Sequence, residues 1–221
     1  MLGDYTSQIG LGGTFYGILS LLFHIDDNVV FLYGINVFFL CLVLFYILKW
    51  VYEEFGTLTA ILTYVFLFYN EWIIVSARNL YWVTFTFFLP FICSLYFLKK
   101  EERTGDCSLK QWSIIAFVLI FIRASCGFEM ISLVMINLEA PLFYYAFKNR
   151  MEKGRFFKRF LSIGAVAILA FVVCMLIHTI QLGFYFEGDF KNAVAVKLNN
   201  VGYRTGAFVN SNISIISRSC Y

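Results

Sequence analysis

Long runs of nearly uninterrupted apolar residues constrain this chain more than any other feature of its sequence. Residues 29–48 and 80–98 are the clearest of these runs. Each is close to the ~20 apolar residues that a helix needs to cross the hydrocarbon core of a bilayer. Backbone groups inside a bilayer must be hydrogen-bonded within a helix or a closed barrel, and the alternating pattern of barrel strands is absent. The sequence therefore predicts an all-α fold, a polytopic transmembrane helix bundle.

The composition argues against a soluble protein. Of the 221 residues, 61% are apolar and 14% are charged, whereas a soluble domain carries about 25% charged residues. The net charge of +3 is small and the basic residues are clustered, so no nucleic-acid partner is expected. The six cysteines show no paired metal spacing, so neither a zinc site nor a disulfide framework is expected.

The apolar runs predict about six spans and one helix lying on the membrane surface. Residues 14–24 are too short to cross, but their apolar side chains share one helical face, which is typical of an interfacial helix. An apolar connector is the alternative. Residues 1–186 would form the transmembrane domain and 187–221 a non-cytoplasmic polar tail. We place the spans at residues 29–48, 55–75, 80–98, 111–123, 127–147 and 160–180.

The positions of lysine and arginine predict the orientation of the bundle. Short cytoplasmic loops of membrane proteins are enriched in these residues. The linkers at 49–54, 99–110 and 148–159 hold 11 of the 17 basic residues, and the span map places all three linkers on one side. We therefore expect these linkers in the cytoplasm and both termini on the non-cytoplasmic side.

Ionisable residues outside those linkers gather near the predicted outer boundary of the membrane. Acids, bases and histidines at that depth can hold an anionic lipid headgroup and place a general base beside it. The alternative is that such residues simply collect where spans end. The candidate site residues are the catalytic acids Asp4 and Glu71 and the lipid-phosphate ligands Arg78, Arg123 and His24.

Two polar residues, Asn137 and Glu139, lie near the middle of the fifth predicted span. A carboxylate at the centre of a membrane helix costs about 2.5–3.5 kcal/mol on insertion scales, so these residues should face other helices or water. Glu139 is either a proton relay or a protonated acid that is hydrogen-bonded to a polar group on a neighbouring span. Pro90 and Pro141 are also mid-span and are expected to kink their helices.

Three stretches of the chain resemble large multi-span bacterial membrane proteins of the GT-C superfamily, which are lipid-dependent glycosyltransferases. They are YTSQIGLGG at residues 5–13, SARNLYWVTFTFFLPFI at residues 76–92 and GFEMISLVMINLEAPLFYYAF at residues 127–147. Together they cover about 47 of the 221 residues. The resemblance implies a multi-pass protein of the bacterial cytoplasmic (inner) membrane.

The resemblance also implies roles for individual residues. In that superfamily an acid of the first outer loop is catalytic and a helix along the membrane follows it. The second outer loop adds an acid or a basic residue that helps to hold the lipid phosphate. These positions correspond here to Asp4, residues 14–24 and Arg78. The acid that often follows the second-loop base has no counterpart, which leaves Glu71 as its substitute. The order of elements fits the superfamily if one N-terminal span is missing.

The resemblance favours one function, and the residues leave two others open. The first is transfer of a sugar from a polyprenyl-phosphate donor at the outer membrane face, with membrane lipid as a partner and a divalent cation as the one cofactor considered. The second is a transporter or channel built on Asn137 and Glu139. The third is a non-catalytic assembly subunit that binds a partner membrane subunit.

Overall fold

The computed structural model describes residues 9–24 and 29–205, and the regular structure of this part is helical, without a β-strand. The prediction of an all-α fold is confirmed. The α-helices are α1 (Leu11–Leu22), α2 (Val29–Phe68), α3 (Glu71–Ala77), α4 (Leu89–Thr104), α5 (Leu109–Cys126), α6 (Ile131–Lys148), α7 (Lys153–Tyr185) and α8 (Phe190–Thr205), and a 3₁₀ turn at Thr84–Phe87 precedes α4.

The longest of these helices, α2, is broken at Gly56. This residue has φ 85° and ψ 179°, a conformation that glycine reaches easily because it has no Cβ. The break lies at the boundary between the first two predicted spans, so α2 consists of two helical segments rather than one straight rod. The second segment ends at residue 68, before the short helix α3.

Helix α4 begins later than the third predicted span. Residues 80–88 form turns and the 3₁₀ turn, and α4 starts only at Leu89. Pro90 lies in the first turn of α4, where its missing N–H leaves no helical hydrogen bond unmade. The predicted mid-span kink at Pro90 is therefore wrong, because this proline starts a helix instead of interrupting one. Pro141 does lie inside a helix, α6.

The core lies where α4, α5, α6 and α7 pack together. Trp112 of α5 is 0% exposed, and its indole Nε1 donates to the Ser94 hydroxyl of α4 at 3.2 Å. That hydroxyl donates in turn to the Leu138 carbonyl of α6 at 2.6 Å. These two bonds join three helices. The small side chains of Ala116 and Ala167, 0% and 1% exposed, let α5 and α7 approach each other closely.

Within residues 9–24 and 29–205, three helices, α2, α5 and α7, are long and apolar enough to cross a membrane. Their outward sides are apolar too, since Phe45 of α2 is 61% exposed and Leu176 of α7 is 58% exposed. A helix that is apolar on all sides requires an apolar surrounding. Helix α4, with 16 residues, is shorter than a span, and α6 carries Asn137 and Glu139. The finer prediction of six spans stays a prediction.

The first and last helices lie against the rest of the bundle. Helix α1 overlaps the predicted surface helix at 14–24 and leaves Leu21 78% exposed. Helix α8 was not predicted from the sequence and lies within the predicted polar tail. It packs against α7 where Gly183 faces the Phe190 ring, since an added Cβ at Gly183 would lie 2.3 Å from that ring.

Candidate functional site

One end of the bundle, which we call the loop end, is formed by α1, α3 and residues 78–88 and 124–130. Glu71, Arg78, Arg123 and His24 lie in and around it, whereas the predicted polar residues Asn137 and Glu139 lie within α6. Helix α1 approaches this end closely at Gly12, where an added Cβ would lie 2.8 Å from Cγ2 of Val83. The missing side chain of Gly12 therefore lets α1 lie directly against the segment that precedes α4.

Buried polar side chains bind the backbone at the end of α3. Asn36 of α2 is 0% exposed; its Nδ2 donates to the Ala77 carbonyl at 2.8 Å, and its Oδ1 accepts from the Tyr16 hydroxyl at 3.0 Å. The Thr84 hydroxyl donates to the Ser76 carbonyl at 2.7 Å. Two consecutive carbonyls are thus held from different elements, which fixes the point where α3 ends.

Arg123 of α5 lies inside the protein and joins two segments of the loop end. It is 0% exposed, its Nη1 donates to the Trp82 carbonyl at 3.0 Å, and its Nη2 donates to the Glu129 carbonyl at 3.2 Å. The guanidinium also lies over the Phe87 ring, 3.9 Å from its centroid, a favourable cation–π arrangement. These contacts describe a structural arginine, and its predicted role as a lipid-phosphate ligand stays a prediction.

Arg78 and Glu71 are both exposed, at opposite ends of α3. No ion pair of Arg78 is found among the described residues. Helical rise separates the two backbone positions by roughly 10 Å, so the pair lies on one short helix without forming a compact site. His24 is exposed directly after α1. Asp4 lies outside the described residues, so its predicted place near the outer boundary with Arg78 stays a prediction.

Glu139 of α6 is 8% exposed and so faces the interior of the bundle, as the insertion cost predicts. Neither of its carboxyl oxygens has a hydrogen-bond partner, so the expected polar partner on a neighbouring span is not found among the described residues. Gly164 of α7 lies opposite, where an added Cβ would be 3.4 Å from Oε1 of Glu139. Glu139 also lines an apolar groove of about 450 Å³ with Met135 and Phe143. Asn137 is half-buried.

The opposite end of the bundle, which we call the basic end, brings together the linkers at 49–54, 99–110 and 148–159. Their predicted location on one side of a membrane, and in the cytoplasm, stays a prediction. Acids of α2 and α4 meet bases of α4, α6 and α7 there. The ion pairs are Glu53 with Lys99, Glu54 with Lys148 at 2.6 Å, Glu102 with Lys148 at 2.8 Å, and Glu101 with both Arg155 and Arg159.

Glu54, in the linker between the first two predicted spans, accepts hydrogen bonds from three groups of α6. The Tyr144 hydroxyl lies 2.8 Å away, the Tyr145 hydroxyl 3.2 Å and the Lys148 ammonium 2.6 Å. Burial opposes the charged form of this carboxylate, but the bonds from Lys148 and the tyrosines outweigh it and lower the pKa of Glu54. The carboxylate therefore remains ionised while it ties α2 to α6.

Sequence reasoning missed Asn36 and the glutamates of the basic end. Asn36 carries a detectable signal, since it is a polar residue within the apolar run at 29–48. The four glutamates, Glu53, Glu54, Glu101 and Glu102, stand beside basic residues in the linkers, and only the packing of the helices shows which base each one binds.

The described residues contain no group of three or more Asp, Glu, His or Cys side chains that could hold a metal ion. A divalent cation bound with help from Asp4 would involve a residue outside that part of the chain. Comparison of the sequence and the structure with protein-family models, curated proteins and solved structures finds no significant match. The resemblance to the GT-C superfamily thus rests on the residues quoted for it.

Proposed function

We propose that this chain is a six-span integral membrane protein that transfers a sugar from a polyprenyl-phosphate donor at its loop end. The observation that carries this proposal is the setting of Arg78. Its guanidinium is exposed and has no ion pair among the described residues, while Asn36 and Thr84 hold the backbone just before it. An exposed guanidinium on a backbone that is held in place suits a lipid phosphate, whose oxygens accept strong charge-assisted hydrogen bonds.

In the proposed reaction, the oxygen of an acceptor hydroxyl attacks the anomeric carbon of the donor sugar. The bond between that carbon and the phosphate oxygen breaks, and the polyprenyl phosphate leaves with the bonding electron pair. Asp4 takes the proton of the acceptor hydroxyl, and Glu71 stands in for the second-loop acid of the superfamily. Arg78 stabilises the charge that develops on the leaving phosphate, assisted by His24 or by a divalent cation.

The proposed placement puts the basic end in the cytoplasm and the loop end on the outer side of a bacterial cytoplasmic membrane. The concentration of 11 of the 17 basic residues in three linkers supports this orientation. Reporter enzymes fused near Arg103 and near Arg155 should therefore be cytoplasmic, and one fused after Glu187 should not. A reporter at either linker on the outer side would overturn the map.

The transfer itself is tested in proteoliposomes with a radiolabelled polyprenyl-phosphate hexose as the donor. We expect Arg78→Ala to lower the rate of sugar transfer at least about tenfold, because the variant loses an electrostatic contact to the leaving phosphate. Arg150→Ala is the matched control, because Arg150 is exposed at the basic end. Equal rates for wild type and Arg78→Ala, or no transfer by the wild type, would refute the proposal.

Proton translocation is a second candidate function, and the setting of Glu139 favours it. A carboxyl group that is 8% exposed and has no hydrogen-bond partner in the described part of the chain is unusual in a bundle interior. Intramembrane acids are common in proton pathways. Glu139→Gln should then abolish proton uptake into liposomes that carry a pH-sensitive dye, with the fold intact. Glu152→Gln, at an exposed position, is the control. Wild-type uptake by Glu139→Gln would leave Glu139 with a structural role only.

A further inference from the structure

A groove of about 580 Å³ opens at the basic end between α2 and α4, with α5 contributing its deeper wall. Its volume is within the range of about 300–1,000 Å³ of small-molecule sites. Nothing in the proposed transfer reaction uses it, since that reaction takes place at the loop end. The groove is lined by four basic residues, Lys49, Lys99, Lys100 and Arg103, and by a single acid, Glu53.

The charges of this groove are only partly compensated. Lys99 pairs with Glu53. That leaves Lys49, Lys100 and Arg103 without an ion pair among the described residues. Three unpaired bases on two neighbouring helices form a site that attracts an anion, because like charges held close together destabilise one another until a counter-charge binds.

The apolar and basic residues of the groove are separated along its length. On α4, Leu89, Ile92 and Tyr96 come first, followed by Lys100 and Arg103 at the outer end. The helical rise from Leu89 to Lys100 is about 17 Å at ~1.5 Å per residue. That depth equals about half of a ~30 Å hydrocarbon core, which is the thickness of one leaflet.

The groove residues of α2 and α5 agree with this separation of apolar and basic residues. Helix α2 runs towards the basic end and presents Tyr46 before Lys49 and Glu53. Helix α5 starts at the basic end and runs away from it. Its groove residues, Ile115 and Leu119, lie more than one turn and more than two turns after its first residue. The inner part of the groove is therefore apolar on all three helices, and α2 and α4 make its mouth basic.

We infer that this groove binds an anionic glycerophospholipid of the cytoplasmic leaflet, with its phosphate at Lys49, Lys100 and Arg103 and one acyl chain along the apolar wall. A free phosphate ion would leave the apolar length of the groove unused, and a zwitterionic lipid would leave the basic charge uncompensated. The inference rests on the membrane placement proposed above and is independent of sugar transfer.

The charge requirement is tested by native mass spectrometry of the detergent-purified chain, titrated with phosphatidylglycerol or with phosphatidylcholine. The triple variant Lys49→Gln, Lys100→Gln, Arg103→Gln should bind phosphatidylglycerol at least about tenfold more weakly, since each base near an anionic surface contributes substantially. The matched control neutralises three exposed bases outside the groove, at Lys110, Arg150 and Lys153, and should bind like the wild type. Equal loss in both triple variants, or equal binding of the two lipids by the wild type, would overturn the inference.

The requirement for an acyl chain is tested with a steric pair of variants. Ile115→Trp fills the groove, whereas Ile114→Trp places the same ring on a neighbouring residue that does not line it, and the two positions are 43% and 54% exposed. Only Ile115→Trp should lose phosphatidylglycerol. Inorganic phosphate at millimolar concentration should not displace the lipid. Displacement of the lipid by phosphate, or equal lipid binding by the two tryptophan variants, would contradict a lipid site. Both tryptophan variants should keep the wild-type rate of sugar transfer, which distinguishes this inference from the proposed function.

Discussion

The carboxylate of Glu101, at the end of α4, accepts hydrogen bonds from both terminal nitrogens of Arg159, in the first turns of α7, at 2.6 and 3.0 Å. The two side chains are only 13% and 8% exposed, and Arg155 contacts the same carboxylate. A bidentate pair has a defined geometry as well as a favourable energy. It therefore fixes the start of α7 relative to a helix that lies 58 residues earlier in the sequence.

Removing the charge of Glu101 should destabilise the bundle. Glu101→Gln leaves Arg159 largely buried without its counter-ion, and breaking a pair of this kind costs about 3 kcal/mol of unfolding free energy. Denaturant titration of the purified chain in detergent measures the difference. Glu152→Gln, at an exposed position without an ion pair among the described residues, should change the stability little. Equal losses in the two variants would contradict a stabilising role of the Glu101 pair.

The stability of the protein should depend on pH through Glu54. Because its folded-state pKa is lowered from 4.5, its stabilising contribution is complete above that value and is lost as the pH falls through the folded-state pKa. The melting temperature should therefore decrease between about pH 6 and about pH 3. Glu54→Gln should flatten this decrease. Parallel melting curves of wild type and variant over that range would show that Glu54 does not contribute.

Replacing Arg123 with lysine should destabilise the protein. A lysine cannot bond the Trp82 and Glu129 carbonyls together in the planar arrangement that Arg123 uses, and it would leave buried polar groups unpaired. We expect Arg123→Lys to lower the unfolding free energy by about 3 kcal/mol. Arg78→Lys, at an exposed position, is the control and should leave it nearly unchanged. A thermal melt that does not separate these variants would contradict the structural role of Arg123.

Two neighbouring glycines of α1 should differ in their tolerance of alanine. At Gly12 the new Cβ would lie 2.8 Å from Val83, whereas at Gly13 it meets no atom within 4 Å. Gly12→Ala should push α1 away from the loop end at a cost of about 1–2 kcal/mol, and Gly13→Ala should be neutral or slightly stabilising because alanine favours helices. Hydrogen exchange of the α1 amides measures this local effect. Faster exchange in both variants would show that the contact with Val83 is not what holds α1.

The outline of the fold follows from local properties of the sequence. Apolar runs long enough for a helix predict the helical segments of α2, α5 and α7, because hydrophobicity and helical length depend only on neighbouring residues. The alternation of spans and basic linkers predicts one membrane side for residues 49–54, 99–110 and 148–159, and these residues do meet at one end of the bundle. The cost of a carboxylate in an apolar helix likewise predicts the burial of Glu139.

The tertiary structure decided which residues meet. The start of α4 at Leu89 depends on Thr84 and Arg123 holding the preceding turns, so an apolar run that reads as one span contains a folded loop. The pairing of Glu101 with Arg159 and the bond from Asn36 to Ala77 depend on how neighbouring helices are rotated about their axes. That rotation is set by the packing of the whole core at once, and no local pattern of residues contains it.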